Sequence, residues 1–273
     1  MQFVWRATGV SVIGARHIRN GQPCQDSVRF EADEEFVVVA VADGHGDPRH
    51  ARSQEGSQAA VQVAVTVLRA LGEELLDESR PARQVVEEMR EHLPRRIAWE
   101  WNREVKRLAG IGHDGTWDPV TELFGTTLLA ALVLPDMVLF FQLGDGDILF
   151  VTDDGPELIT IPDEELWGSL TRSLCQQDAS AWVQLRCIPL DGDIVPKMVV
   201  LSTDGVRDCL GTAYKDLGKR LEGLIDEKGW EPMVDEMPDW LAELSKRGNG
   251  DDATLALVAF EPDDGYDDED WEE

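Results

Sequence analysis

FVVVAVADGHG (36–46) is the stretch on which the reading of this chain turns. Seven apolar residues run without a polar interruption and then stop at Asp43-Gly44-His45-Gly46. A short, valine-rich run of this kind suits a strand buried on both faces. The residues that end it are an acid, an imidazole and two glycines. That combination is either a turn or a loop built for chemistry.

The same juxtaposition recurs. KMVVLST runs into Asp204-Gly205, and MVLFFQLG into Asp145-Gly146. In the opposite sense, Gly250-Asp251-Asp252 immediately precedes ATLALVAF, and Gln25-Asp26 immediately precedes SVRF. If 27–30 and 36–42 form a hairpin, Asp26 and Asp43 share its open end. If the strands after Asp251 and before Asp204 pair antiparallel, those two acids also lie level. Carboxylates gathered at one sheet edge repel each other by about 4 kcal/mol per pair at 4 Å and an effective dielectric near 20. A divalent cation removes that cost. Oxygen ligands without clustered Cys or His favour Mg²⁺ or Mn²⁺ over Zn²⁺. A single Asp-Gly after a strand is ordinarily just a turn; four strand-terminal acids together with DGHG are not.

Working outward, strands are expected at 10–13, 27–30, 36–42, 126–134, 137–143, 147–152, 197–202 and 253–260. Pro135-Asp136 and Gly144-Asp145-Gly146 are short links of the kind that join antiparallel neighbours. Helical spacing marks 53–76, through Val61, Val65, Leu68 and Leu71, and a second run from Pro81 to Leu108 with a kink expected at Pro94. Two further helices are expected at 215–226 and 230–246. Grouped strands with paired helices predict an α+β fold, a sandwich of two antiparallel β-sheets flanked by pairs of helices. The expected organisation is one domain over 1–260 and an acidic, mobile tail over 261–273.

The chain has 273 residues, 25 Lys and Arg against 54 Asp and Glu, and a formal charge of −29. Nine of those negative charges lie in the last thirteen residues, EPDDGYDDEDWEE, which leaves −20 for the rest. A body this acidic repels phosphate backbones and anionic lipid, so neither nucleic acid nor a membrane is expected as a partner. Hydrophobic residues at 42% point to a packed globule. Four cysteines without a CxxC pair (Cys24, Cys175, Cys187, Cys209) predict free thiols in a reducing cytosol. Cys24, Cys187 and Cys209 are expected to be buried. The start of the chain lacks the pattern of a signal peptide, and no apolar run is long enough to span a bilayer. A cytoplasmic monomer is expected.

These motifs, in this order, resemble the metal-dependent protein phosphatases (the PPM or type 2C family) in their bacterial form. GVSVIGARHIRNGQPCQDSVRF resembles the family's opening motif, and VAVADGHG its most distinctive one. FGTTLLAALVL, FFQLGDGDILFV, VVLSTDGVRDCL and GNGDDATLALVAF are similar to the four that follow. The resemblance implies hydrolysis of phosphoserine and phosphothreonine in proteins by metal-activated water, on a fold of two antiparallel sheets flanked by helices. By position it implies that Asp43 bridges two ions and that the Gly44 carbonyl binds the first. Asp204 and Asp251 would bind the second, and Asp26 would hold water. Asp145 and Asp208 match a pair that helps hold a third, weaker ion in bacterial members. His45 becomes the candidate general acid for the departing seryl oxygen. His17, His92 and His113 read as structural or surface residues. Either Arg16 or Arg19 would meet the phosphate.

Two departures stand out. Gln25 replaces a common Glu, and Asp252 stands where the family usually has Asn. Residues 153–196, including LWGSLTRSLC, correspond to the family's variable, substrate-facing region. A catalytically weak, phosphoprotein-binding member is the alternative, but loss of one of the acids would be its mark. A metal-dependent nuclease fits the acids and not the charge.

Overall fold

In the computed structural model, residues 3–76, 82–160, 171–190 and 194–262 are described. In chain order the elements are β1 (Phe3–Val12), α1 (Ala15–Asn20), β2 (Ser27–Ala32), β3 (Val37–Ala42), α2 (Ser53–Leu75) and α3 (Ala82–Ala109). There follow β4 (Leu128–Leu134), β5 (Met137–Leu143), β6 (Asp147–Thr152), β7 (Gly155–Leu158), β8 (Gln184–Pro189) and β9 (Pro196–Ser202). The last are α4 (Asp204–Leu210), α5 (Leu217–Lys228), α6 (Trp230–Arg247) and β10 (Ala253–Pro262).

The strands form two five-stranded antiparallel sheets, in the orders β1-β10-β9-β6-β7 and β2-β3-β4-β5-β8. The valine run explains the layering. Val37, Val39 and Val41 face the other sheet, packing with Leu129, Ile148, Phe150, Val199, Leu201 and Val258. Val38, Ala40 and Ala42 face the opposite way, into a core built with α2 and α3. On the far side, Leu149, Val200, Leu255 and Leu257 pack under α5 and α6. Each central strand is therefore covered on both faces, which is why its sequence does not alternate.

The β2–β3 hairpin pairs Ser27 with Ala42, so Asp26 and Asp43 do leave its open end together. Strands β9 and β10 pair antiparallel with Ser202 opposite Leu255, which brings the Asp204 and Asp251 segments to the same end. Two expectations need correction. Gly144-Asp145-Gly146 is not a hairpin turn: β5 and β6 belong to different sheets, and the triplet carries the chain across between them. Gly144 makes that crossing with a φ of +108°, and a side chain there would press on Thr127. Pro94, where a kink is expected, lies inside α3. β10 runs on to Pro262, so Glu261 and Pro262 belong to the strand and not to the tail. The expected tail from 263 onward, and the first half of the LWGSLTRSLC segment, lie outside the described residues.

The four cysteines are free, but only Cys175 is buried; Cys24, Cys187 and Cys209 are half-buried. Among the described residues, no helix is long and apolar enough to cross a membrane.

Candidate active site

A groove of about 680 Å³ opens where the ends of both sheets meet. Its wall includes Asp43, Gly44 and His45 after β3, Asp145 on the crossing between sheets, Asp204 at the start of α4 and Asp251 before β10.

The Asp43-Gly44 turn is fixed from three sides. The Asp43 N–H donates to Thr127 Oγ1 (3.0 Å), while the Asp43 carbonyl accepts from the Thr127 N–H (2.9 Å) and the Thr126 hydroxyl (2.8 Å). The Gly44 N–H donates to the Gln25 carbonyl at 3.2 Å. A side chain at Gly44 would come within 2.6 Å of that same carbonyl oxygen, so only glycine fits here. The Gly-Thr-Thr of the sequence is thus the clamp that aims the DGHG turn.

Asp26 lies beneath the groove, 7% exposed, and is not part of its wall. Its Oδ2 accepts hydroxyl hydrogen bonds from Thr203 (2.7 Å) and Thr254 (2.8 Å), both in the other sheet. The Asp43 and Asp204 carboxyl groups are close enough for each to influence the other's ionisation. Burial, with the negative charges of Asp26 and Asp204 beside it, drives the Asp43 carboxyl well above the usual range. Burial and then the Asp252 charge do the same to Asp26. Asp204 is pushed up to about 6, first by burial and then by Asp145. Each of these groups pays to be ionised in the absence of a positive charge, which is the condition a bound cation relieves.

Among the described residues, no three His, Cys, Asp or Glu side chains stand in ready-made ion-binding geometry. A Mg²⁺-type ion is usually held by one or two carboxylates and completed by water and other oxygens. Asp43, Gly44, Asp204 and Asp251, all on the groove wall, could offer oxygen donors of the kind such ions take.

Arg16 and Arg19 part company. Arg16 is on the groove wall, and its Nη2 donates to Asp251 Oδ2 at 2.7 Å. Arg19 is exposed and contributes nothing to the wall. Asp208 is exposed beside Asp204 and lies outside the wall, although its charge is felt there. His45 lines the groove, its ring centroid 4.9 Å from that of His50. Burial, then the neighbouring His50 and Arg49, push the His45 imidazole down to about 4. His92 and His113 are exposed; His17 is buried at 4% exposure against the groove.

Several residues on or beside the wall were not among the expected site residues. His50, held by Nδ1 donating to the Glu122 carbonyl at 2.5 Å, and Arg49 lie just beyond DGHG. Arg207 donates to the Asp145 carbonyl (3.1 Å) and pairs with buried Asp147 (3.1 Å), pinning the crossing between sheets. Its place three residues after Asp204 in a short helix was the available signal.

A family profile described as Protein phosphatase 2C matches residues 13–256. No individually curated protein matches the chain. Among solved structures, the serine/threonine phosphatase Stp1 from Staphylococcus aureus is 16% identical with a TM-score of 0.62, over 96% of this chain and 97% of that one. The S. agalactiae serine/threonine phosphatase is 20% identical with a TM-score of 0.60, over 94% and 100%. The catalytic domain of PstP, solved with two manganese ions, is 18% identical with a TM-score of 0.57, over 94% and 99%. The fold is that of these phosphatases, and the chain belongs to the protein phosphatase 2C family. It is a metal-dependent protein serine/threonine phosphatase, and nothing in the groove favours the catalytically weak alternative.

Proposed function

We propose that the groove is the catalytic centre and that it works with two Mg²⁺ or Mn²⁺ ions, a third binding more weakly. The observation that carries this reading is the linked pair Asp43 and Asp204 on the groove wall, both pushed toward protonation by burial and by neighbouring carboxylates. Asp43 and the Gly44 carbonyl would hold one ion, Asp43 with Asp204 and Asp251 the other, and Asp145 with Asp208 the weak one. Such ions supply an acidified water and neutralise phosphate charge.

The chain's own residues do the remainder. Asp26, fixed by two threonine hydroxyls beneath the groove, is placed to orient water from below. Arg16 on the wall is the phosphate contact in preference to Arg19. His45 is the group that gives a proton to the departing seryl or threonyl oxygen. The substrate is a phosphoprotein, and the surrounding acidic surface favours basic sequence around the modified residue. We further propose a cytoplasmic, monomeric enzyme of bacterial type that avoids nucleic acid and membranes. It carries one catalytic domain that ends with β10, followed by an acidic segment.

The test is turnover of p-nitrophenyl phosphate with Mn²⁺, with EDTA, and in the Asp204→Asn and Asp251→Asn variants. Activity is expected only with metal and wild-type acids. Full activity in Asp204→Asn would refute the ligand assignment.

A further inference from the structure

Asp252, the acid that stands where the family usually has an amide, is buried with 3% of its side chain exposed. Its Oδ1 accepts the Gly14 N–H and its Oδ2 accepts the Gln25 N–H, each at 2.6 Å. Two donors facing two oxygens require an acceptor at both positions. An asparagine supplies one, and its NH₂ would oppose the other N–H. The segment gripped in this way leads directly to the site. Gln25 precedes Asp26, and its carbonyl accepts from the Gly44 N–H (3.2 Å) and the Ser57 hydroxyl (2.6 Å).

A second buried group stands beside it. His17 Nδ1 lies 2.9 Å from Asp252 Oδ1, and Nε2 lies 3.6 Å from Asp251 Oδ1. The Nδ1 contact is close but not aligned as a hydrogen bond. The ring is wedged between two consecutive carboxylates, while Arg16 from the same helix takes the other oxygen of Asp251.

We propose that Asp252 and His17 are a positioning pair for the catalytic centre: Asp252 ties the Gln25-Asp26 segment and Gly14 to the start of β10, and His17 holds the Asp251 carboxylate in its orientation on the groove wall. Both border the groove, and each acts through another residue and not on the reacting atoms. Supporting residues of this kind commonly contribute about 10- to 100-fold to metal affinity or activity. The proposal rests on the reading of Asp251 as a metal ligand.

The test uses the full chain stripped of metal. Mn²⁺ affinity is measured by titration calorimetry and melting temperature by circular dichroism. Dependence of kcat on Mn²⁺ is followed for Asp252→Asn, His17→Gln and, as a control, Asp251→Asn. Both positioning variants are expected to bind Mn²⁺ about 10- to 100-fold more weakly. His17→Gln should melt near the wild-type temperature and recover most of its kcat at high Mn²⁺, a split that a merely structural role would not produce. If Asp252→Asn does not fold, His17→Gln decides alone. Wild-type Mn²⁺ affinity in the folded positioning variants, with binding lost in Asp251→Asn, overturns the proposal and leaves the metal assignment standing. Wild-type affinity in Asp251→Asn overturns the assignment and the proposal with it.

Discussion

Thr203, at the end of β9 in one sheet, donates its hydroxyl to Asp26, at the start of β2 in the other, across 2.7 Å. Thr254 adds a second bond from β10 to the same Asp26 oxygen at 2.8 Å. The two sheets are stitched together at the end where the groove opens, and the stitch is a carboxylate to which the proposed chemistry also gives a role. Asp26→Asn keeps an oxygen for both hydroxyls, so the variant should fold with a melting temperature within a few degrees of wild type while losing most turnover. Asp26→Leu leaves two buried hydroxyls without an acceptor, at about 1–3 kcal/mol each. Melting curves and steady-state assays on both variants check this. A large destabilisation in the asparagine variant would mean that charge, and not acceptor geometry, holds the sheets.

The raised carboxyls give the metal-free protein an unusual pH response. An ordinary Asp titrates near 3.8, whereas Asp204 in the fold is pushed up to about 6 and Asp26 and Asp43 are shifted in the same direction. Between those values the folded state binds more protons than the unfolded one, so stability falls as pH rises through the window. In EDTA, the melting temperature should therefore drop between pH 5 and pH 7. Mn²⁺ should raise it most at the upper end of the range, where the carboxylates are ionised and repel. A melting temperature in EDTA that rises steadily from pH 5 to 7 would contradict the shifts.

Much of this was legible in the sequence because it is local. A run of seven apolar residues needs two apolar layers, and acids at strand ends converge whenever the strands pair antiparallel. What escaped depends on partners far along the chain. Edge strand β7 (GPEL) carries a glycine, a proline and a glutamate, which give no strand signal but are tolerated where one side of the ladder is unpaired. Gly144-Asp145-Gly146 has the length of a hairpin link, and only the sheet membership of β5 and β6 reveals a crossing. The metal-ligand candidates were visible as motifs. The Arg207 contacts with Asp145 and Asp147, the His50–Glu122 bond and the Asp252–His17 contact were not, because each joins residues 60 or more positions apart.

Arg16 and Arg19 are three residues apart on one short helix, and only Arg16 lies on the groove wall. Arg16→Ala should raise KM for a phosphopeptide about tenfold, equivalent to about 1.4 kcal/mol, with a smaller effect on kcat, because a charge-assisted contact made in the bound state is lost. Arg19→Ala, which removes an exposed side chain outside the groove, should stay within twofold. Steady-state kinetics at saturating Mn²⁺ separates the two. Equal effects from both variants would remove Arg16 from its assigned place.

His45 offers the sharpest discrimination, because its environment works against the role assigned to it. Burial and the adjacent His50 and Arg49 hold the imidazole down to about 4, so in the free protein the ring is neutral near pH 7. An arriving phosphate dianion opposes that shift and favours the protonated ring in the bound complex. If His45 then protonates the leaving oxygen, its removal should matter only when the leaving group needs a proton. Turnover of a phosphoserine peptide, which expels a strongly basic alkoxide, should fall about 10²- to 10⁴-fold in His45→Ala. Turnover of p-nitrophenyl phosphate, which expels a stable phenolate, should fall only a few-fold. Comparing the two substrates in one variant cancels any loss of fold or metal. Equal losses on both would reduce His45 to a structural part of the DGHG turn.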